Sequence, residues 1–231
     1  MTTEVKNKIT PIRYVTFTFC CLDKKRPNPK TKIIYISTDA VFPSSIHLAK
    51  ELNCVSPENV YGKSKELGEF FLKTSIGRSY TIIRTTIVGL NINIKKKGFT
   101  EWIINTVNEN KELGLFTDVL FNPISIWDLV SEIEFFIDTD NINSEILHIA
   151  GELCTKYKFG SDLLNNLGFS TNKLYKNSIT TYGDRAKRSN DQSLDSDFYQ
   201  KKYNRNSITL EQTILKIKEH YEYNKTRKKN N

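Results

Sequence analysis

Two β-branched, apolar runs with one helix-length segment between them set the tightest limit on how this chain folds. KIIYIS (residues 32–37) and YTIIRT (80–85) each carry the density of Ile, Tyr and Thr expected of a buried strand. Ser56–Asn59, with Pro57 inside it, is a helix-start signal. The segment that follows places Val60, Ser64, Leu67 and Phe71 on one helical stripe, at i, i+4, i+7 and i+11. Two strands joined through a helix-length crossover pair in parallel, because a short turn cannot return the chain to the same end of the sheet.

The rest of the chain continues the α/β pattern. Upstream, residues 11–21 (PIRYVTFTFCC) read as a strand, followed by a Lys/Pro-rich turn at 23–30. Downstream, 99–109 reads as a helix and 115–126 as a short strand and loop carrying Pro123. Ser125 and Asp128 can cap a helix that turns Leu129, Ile133 and Phe136 inward. Residues 146–150 form another strand, and 157–167 a helix stopped by Gly168. Thr209 and Gln212 offer a capping box for a last amphipathic helix using Leu210, Ile214, Ile217 and Tyr221. No repeat of fixed period occurs, and low complexity is confined to the polar tail after Tyr223.

Composition removes several classes of function. With 231 residues, 38% of them hydrophobic, the chain can bury one large core, or one core and a smaller lobe. No stretch approaches the roughly 20 apolar residues of a membrane helix, and MTTEVKNKIT lacks the apolar centre of a secretory leader. Cys20, Cys21, Cys54 and Cys154 have neither CxxC nor metal-ligand spacing, which suits reduced thiols in a cytoplasm and predicts no metal site. A net charge of +8 invites a nucleic-acid partner, but the positive runs at 24–26, 95–97, 201–202 and 227–229 alternate with acids and hold no base-stacking aromatics. They read as solvated surface charge, with an anionic ligand as the alternative.

The chemistry-bearing segment is 33–69. Ser37, Thr38 and Asp39 fall at the carboxyl end of a parallel strand, where open α/β sheets bind ligands. Tyr61 and Lys65 stand one turn apart on the next helix. A phenol with a pKa near 10 is a poor acid–base group at neutral pH, and a neighbouring ammonium stabilises its phenolate. A hydroxyl such as Thr38 can bond either the phenol or a carbonyl oxygen. Taken alone, Tyr-x-x-x-Lys also fits an amphipathic helix start beside a solvated lysine.

In sequence order, YISTDAVF and PENVYGKSKELGE resemble the active-site stretch of the dTDP-4-dehydrorhamnose reductase-like branch of the extended short-chain dehydrogenase/reductases. The resemblance continues through TIIRTTIVG, GFTEWI, WDLVSEIEFFI, ILHIAG and RSNDQSLDSDFYQ, covering residues 32–222. It implies NAD(P)H-dependent reduction of a nucleotide-activated 4-keto deoxysugar in polysaccharide biosynthesis. In that reading Tyr61 donates the proton, Lys65 lowers its pKa and bonds the ribose of NADP or NAD, and Thr38 bonds the reacting oxygen with Asp39 beside it at the sugar. Arg185, Lys187 and Arg188 then either meet the diphosphate or form a solvated basic loop. At Ile87 the rhamnose-forming enzymes typically carry tryptophan.

The resemblance implies a partial Rossmann-type parallel sheet with a smaller C-terminal substrate lobe. Its organisation is an atypical segment at 1–31, the remaining dinucleotide-binding part at 32–90, a mainly substrate-binding lobe at 91–188, a C-terminal segment and helix at 189–223, and a polar tail at 224–231. The N-terminal βαβ unit with its glycine fingerprint is the missing piece. The first glycine is Gly62, and only 31 residues precede the Lys32 strand, where one βαβ unit takes about 30. Only glycine lets the backbone approach a pyrophosphate closely. The sheet edge at 33–38 is therefore expected to be covered by residues 11–21, a partner chain or a second copy. The alternatives are a non-catalytic binding or regulatory protein on this scaffold, as in the similar regulatory subunit of methionine adenosyltransferase, and an inactive fragment of a split reductase.

Overall fold

The computed structural model describes residues 33–74, 79–91, 93, 97–138, 144–181 and 189–229. The strand expected at 11–21, the turn at 23–30, and Arg185, Lys187 and Arg188 lie outside the described residues. In chain order the elements are β1 (Ile33–Thr38), α1 (Val60–Thr74), β2 (Tyr80–Val88), α2 (Phe99–Asn108), β3 (Leu113–Phe116), β4 (Leu120–Phe121), β5 (Pro123–Ser125), α3 (Ile126–Asp138), β6 (Glu145–His148), β7 (Cys154–Thr155), α4 (Lys156–Asn166), β8 (Leu174–Asn177), β9 (Asp191–Gln192), α5 (Asp197–Tyr203) and α6 (Leu210–Lys229).

The main sheet is parallel and centred on β2. β1 runs beside it in register from Ile33 opposite Tyr80 to Thr38 opposite Thr85. The other edge of β2 is shared: its first half pairs with β6 along Thr81–Arg84, its second half with β5 along Thr86–Val88. Being flanked on both edges and covered by helices, β2 is buried from Thr81 to Thr85 without alternation, the mark of a central parallel strand. Residues 91–188 thus supply β5, α3 and β6 to the main body as well as a second body. That body packs Ile103, Leu113, Leu115, Phe121, Phe159 and Leu163 against Ile214 and Ile217 of α6. Its strands form two small sheets, β3 with β8 and β7-β4-β9.

The capping signals hold locally. Ser125 Oγ accepts the Asp128 N–H at 3.1 Å. Gly168 ends α4 at φ 74°, and Thr209 and Gln212 satisfy each other's backbone N–H groups at the start of α6. Among the described residues, no helix is long and apolar enough to cross a membrane.

The apolar stripe of α1 is a correction. Val60, Ser64, Leu67 and Phe71 face outward; the helix packs on the sheet through Gly62, Gly68, Glu69 and Leu72. The reason is a close approach that side chains would forbid. A Cβ on Gly62 would run into the Ala40 carbonyl oxygen, and one on Gly68 into the Tyr35 hydroxyl. A stripe defined by large apolar residues misses a contact face built from glycine.

Candidate active site

The chain leaves β1 at Thr38 into a single 3₁₀ turn, Asp39–Val41, and Thr38 caps that turn by accepting the Ala40 N–H on Oγ1 at 3.2 Å. The Thr38 hydroxyl donates to Asp39 Oδ1 at 2.7 Å, and the Thr86 hydroxyl, on β2, donates to Asp39 Oδ2 at 2.6 Å. Asp39 is buried. Across from this strand end, Asn59 caps α1 by accepting the Gly62 N–H at 2.8 Å. The tight seat of Gly62 on Ala40 then brings the first turn of α1 over the strand end. Tyr61 emerges there 57% exposed. Lys65, one turn on, donates to the Ile36 carbonyl at 3.0 Å, with its ammonium 5.9 Å from the Tyr61 ring centre and 5.3 Å from that of Tyr35. The structure therefore brings Thr38, Asp39, Tyr61 and Lys65 to one place.

Burial dominates the electrostatics. It raises the Tyr61 phenol above its ordinary value; the Thr38 hydroxyl bond opposes the rise and the Asp39 charge adds to it. Burial also lowers Lys65. It raises Asp39, against hydrogen bonds from Thr86 and Thr38 and the positive charge of Lys156.

Sequence reasoning missed the groups that fix this geometry from behind. Arg84 and Glu69, both 1% exposed, form a two-pronged pair, Nε to Oε1 at 2.9 Å and Nη2 to Oε2 at 2.6 Å. Ser37 donates to Glu69 Oε1 at 2.6 Å. The fully buried His148 of β6 lies 3.5 Å from Arg84 Nη1 through Nε2 and 2.9 Å from the Ala49 carbonyl through Nδ1. Desolvation, then the Arg84 charge, lowers its pKa to about 3, so it is neutral. The signal was present: an arginine inside the apolar run YTIIRTT requires a buried partner, and Glu69 follows Lys65 by one turn.

Beyond the end of β2 opens a cleft of about 220 Å³ lined by Ile87, Val88, Gly98, Phe99, Thr100 and Ile126 among others. Ile87, the residue read as standing at a tryptophan position, is partly exposed on this wall. Thr100 Oγ1 is buried and has no hydrogen-bond partner among the described residues. Behind Phe99, the Lys156 ammonium lies 3.3 Å from the ring centre of Phe121 and 4.9 Å from that of Phe99.

The model of the RmlD substrate binding domain matches residues 25–222 of this chain, the same stretch that carries the strand end, the Tyr61 helix and the cleft. The chain belongs to this family. Among curated proteins it is similar to the spore coat polysaccharide biosynthesis protein SpsK of Bacillus subtilis, 30% identical over 159 residues, which is 67% of this chain and 53% of SpsK. Among solved structures it is similar to dTDP-4-dehydrorhamnose reductase from Bacillus anthracis in complex with NADP, with a TM-score of 0.70 at 23% identity, covering 80% of this chain and 66% of that one. A second reductase structure, from Clostridium acetobutylicum, gives 0.72 at 24% identity and covers 84% and 66%. At these identities the two structures establish the Rossmann-like α/β fold of the RmlD family member. The chain spans about half the length of the curated relative and about two thirds of the solved reductases.

Proposed function

We propose that this chain takes part in the reduction of a nucleotide-activated 4-keto deoxysugar with a reduced nicotinamide cofactor. The observation that carries the reading is the convergence of Thr38, Tyr61 and Lys65 at the carboxyl end of a parallel strand in an RmlD-family chain. Lys65 and Tyr61 fit the nicotinamide-ribose end of such a cofactor. Residues 1–61 hold no glycine that could seat its diphosphate. When bound, the cofactor supplies a hydride, which no side chain can. Tyr61 gives its phenolic proton to the oxygen that was the ketone, completing the alcohol. Thr38 holds that oxygen, and Lys65 stabilises the phenolate left behind. The cleft beyond Ile87 supports a sugar-nucleotide ligand.

The test is to mix the purified chain with dTDP-4-dehydrorhamnose and NADPH and follow nicotinamide oxidation and sugar reduction together. Equal consumption of both is expected once a seat for the diphosphate is supplied from outside these 231 residues, and little by these residues alone; absence of sugar reduction in every assembly containing the chain overturns the reading. The lack of glycine in residues 1–61 favours a second reading, in which these 231 residues bind the nucleotide sugar without reducing it by themselves. Calorimetry separates the two, since that reading requires nucleotide-sugar binding with no turnover. Among the described residues β1 pairs on one edge only, so cover of its other edge by residues 11–21, a partner chain or a second copy is part of the proposal.

A further inference from the structure

Tyr61, Lys65 and Glu69 follow one another at one-turn intervals along α1, so the site's two helix residues lead directly to a buried carboxylate. Glu69 meets both strands beneath it at a single register position. Ser37 of β1 and Arg84 of β2 are Cα partners across the sheet. Glu69 Oε1 accepts from both, from the Ser37 hydroxyl at 2.6 Å and from Arg84 Nε at 2.9 Å. Its Oε2 accepts from Arg84 Nη2 at 2.6 Å and from the Lys73 ammonium at 3.5 Å. The next register pair along the strands is Thr38 with Thr85, the strand end of the candidate site.

The other contacts of this helix face do not fix its orientation in the same way. Gly62 and Gly68 permit the close approach of α1 but have no side chain with which to hold it there. Leu72 packs through apolar contact, which is non-directional. Two further polar contacts tie α1 to β1: the Lys65 ammonium on the Ile36 carbonyl at 3.0 Å, and the Tyr35 hydroxyl on the Lys65 carbonyl at 3.3 Å. Both run through Lys65, the residue that has to be placed. Glu69 remains as the buried group with several directional bonds into the sheet, and such bonds select one orientation. In energy a buried ion pair is replaceable, because apolar residues of similar volume often stabilise a fold as well. Its geometry is not.

We infer that Glu69 is a positioning residue: by clasping Ser37 and Arg84 at one register position, it fixes the orientation of α1 that sets Tyr61 and Lys65 over the strand end. This role is separate from its contribution to stability. It rests on the proposed function only in the use made of Tyr61 and Lys65.

The test uses the full chain without ligand and reads the NMR signal of the Lys65 ε-methylene group, assigned by its loss in Lys65→Met. With the ammonium 5.3 Å from the Tyr35 ring centre and 5.9 Å from that of Tyr61, this signal should lie upfield of those of exposed lysines. Glu69→Leu/Arg84→Met removes the clasp and both buried charges together, so the double variant should stay folded. Its Lys65 signal should nevertheless move downfield toward the exposed position. A folded double variant with the Lys65 signal where the wild-type chain has it overturns the proposal. Ser37→Ala keeps the ion pair and removes one directional bond, and should move the signal the same way by less. If the double variant does not fold, Ser37→Ala decides: an unmoved signal then overturns the proposal. Neither readout needs cofactor or substrate, so failure here is distinct from failure of the reductase reading. In an assembly that turns over, the double variant should lose about 10²-fold in kcat with KM unchanged, the split expected when reacting groups are misplaced and binding is intact; an unchanged kcat overturns the proposal equally.

Discussion

Tyr61→Phe keeps the ring and removes the phenolic proton. In any assembly that shows turnover, kcat should fall by about 10²–10⁴, while calorimetry finds nucleotide-sugar binding unchanged. Lys65→Met should cause a comparable loss and also weaken cofactor binding. Turnover unaffected by Tyr61→Phe would take the phenol out of the mechanism. At this scale the residue types were legible, because the Tyr-x-x-x-Lys spacing and the Ser-Thr-Asp strand end are local features. Their hydrogen bonds were not. Thr86 reaches Asp39 across 47 residues, and Lys65 bonds a carbonyl 29 residues away. Neither partner is marked by any local pattern.

Helix α1 is held against β1 and β2 by a charged pair with no solvent. Glu69→Gln or Arg84→Met leaves the other partner buried and uncompensated, and each should cost about 3–5 kcal/mol in urea denaturation. The double variant Glu69→Leu/Arg84→Met should recover much of that loss, because both desolvation penalties disappear together. Additive losses would mean that the pair contributes through other neighbours, such as Ser37 and Lys73. Secondary structure was legible at this scale wherever capping chemistry or strand composition acts locally, as at Ser125, Gly168 and Thr209. The facing of α1 was not. It depends on how closely Gly62 and Gly68 let the helix approach Ala40 and Tyr35, a tertiary contact that outweighs the helix's own apolar stripe.

For the molecule as a whole, His148 ties β6, β2 and the Ala49 loop together and makes stability depend on pH. Its pKa is about 3 in the folded chain against an ordinary 6.5, so between these values the unfolded chain binds a proton that the folded chain does not. Its contribution is complete above about pH 6.5 and is lost as pH falls toward 3, on the order of a few kcal/mol. Urea denaturation at neutral and mildly acidic pH should show this loss, and His148→Gln should flatten it; an unchanged slope in the variant would assign the loss to other groups. The second whole-molecule prediction concerns the cofactor. Titrated as a purified monomer, these 231 residues should bind NADPH weakly, because residues 1–61 contain no glycine from which to build a turn that seats the diphosphate. A tight one-to-one complex would refute it. The sequence by itself determined the parallel α/β class and the local spacing that sets the candidate residues at a strand end and a helix start, since each is written in neighbouring residues or in composition. The tertiary structure alone decided which face of α1 is buried, that β5 and β6 share the edge of β2, and that Asp39 is a buried carboxyl clasped by two threonines. Those outcomes depend on close approach, desolvation and hydrogen bonds between segments far apart in the chain, none of which leaves a periodic trace in the sequence.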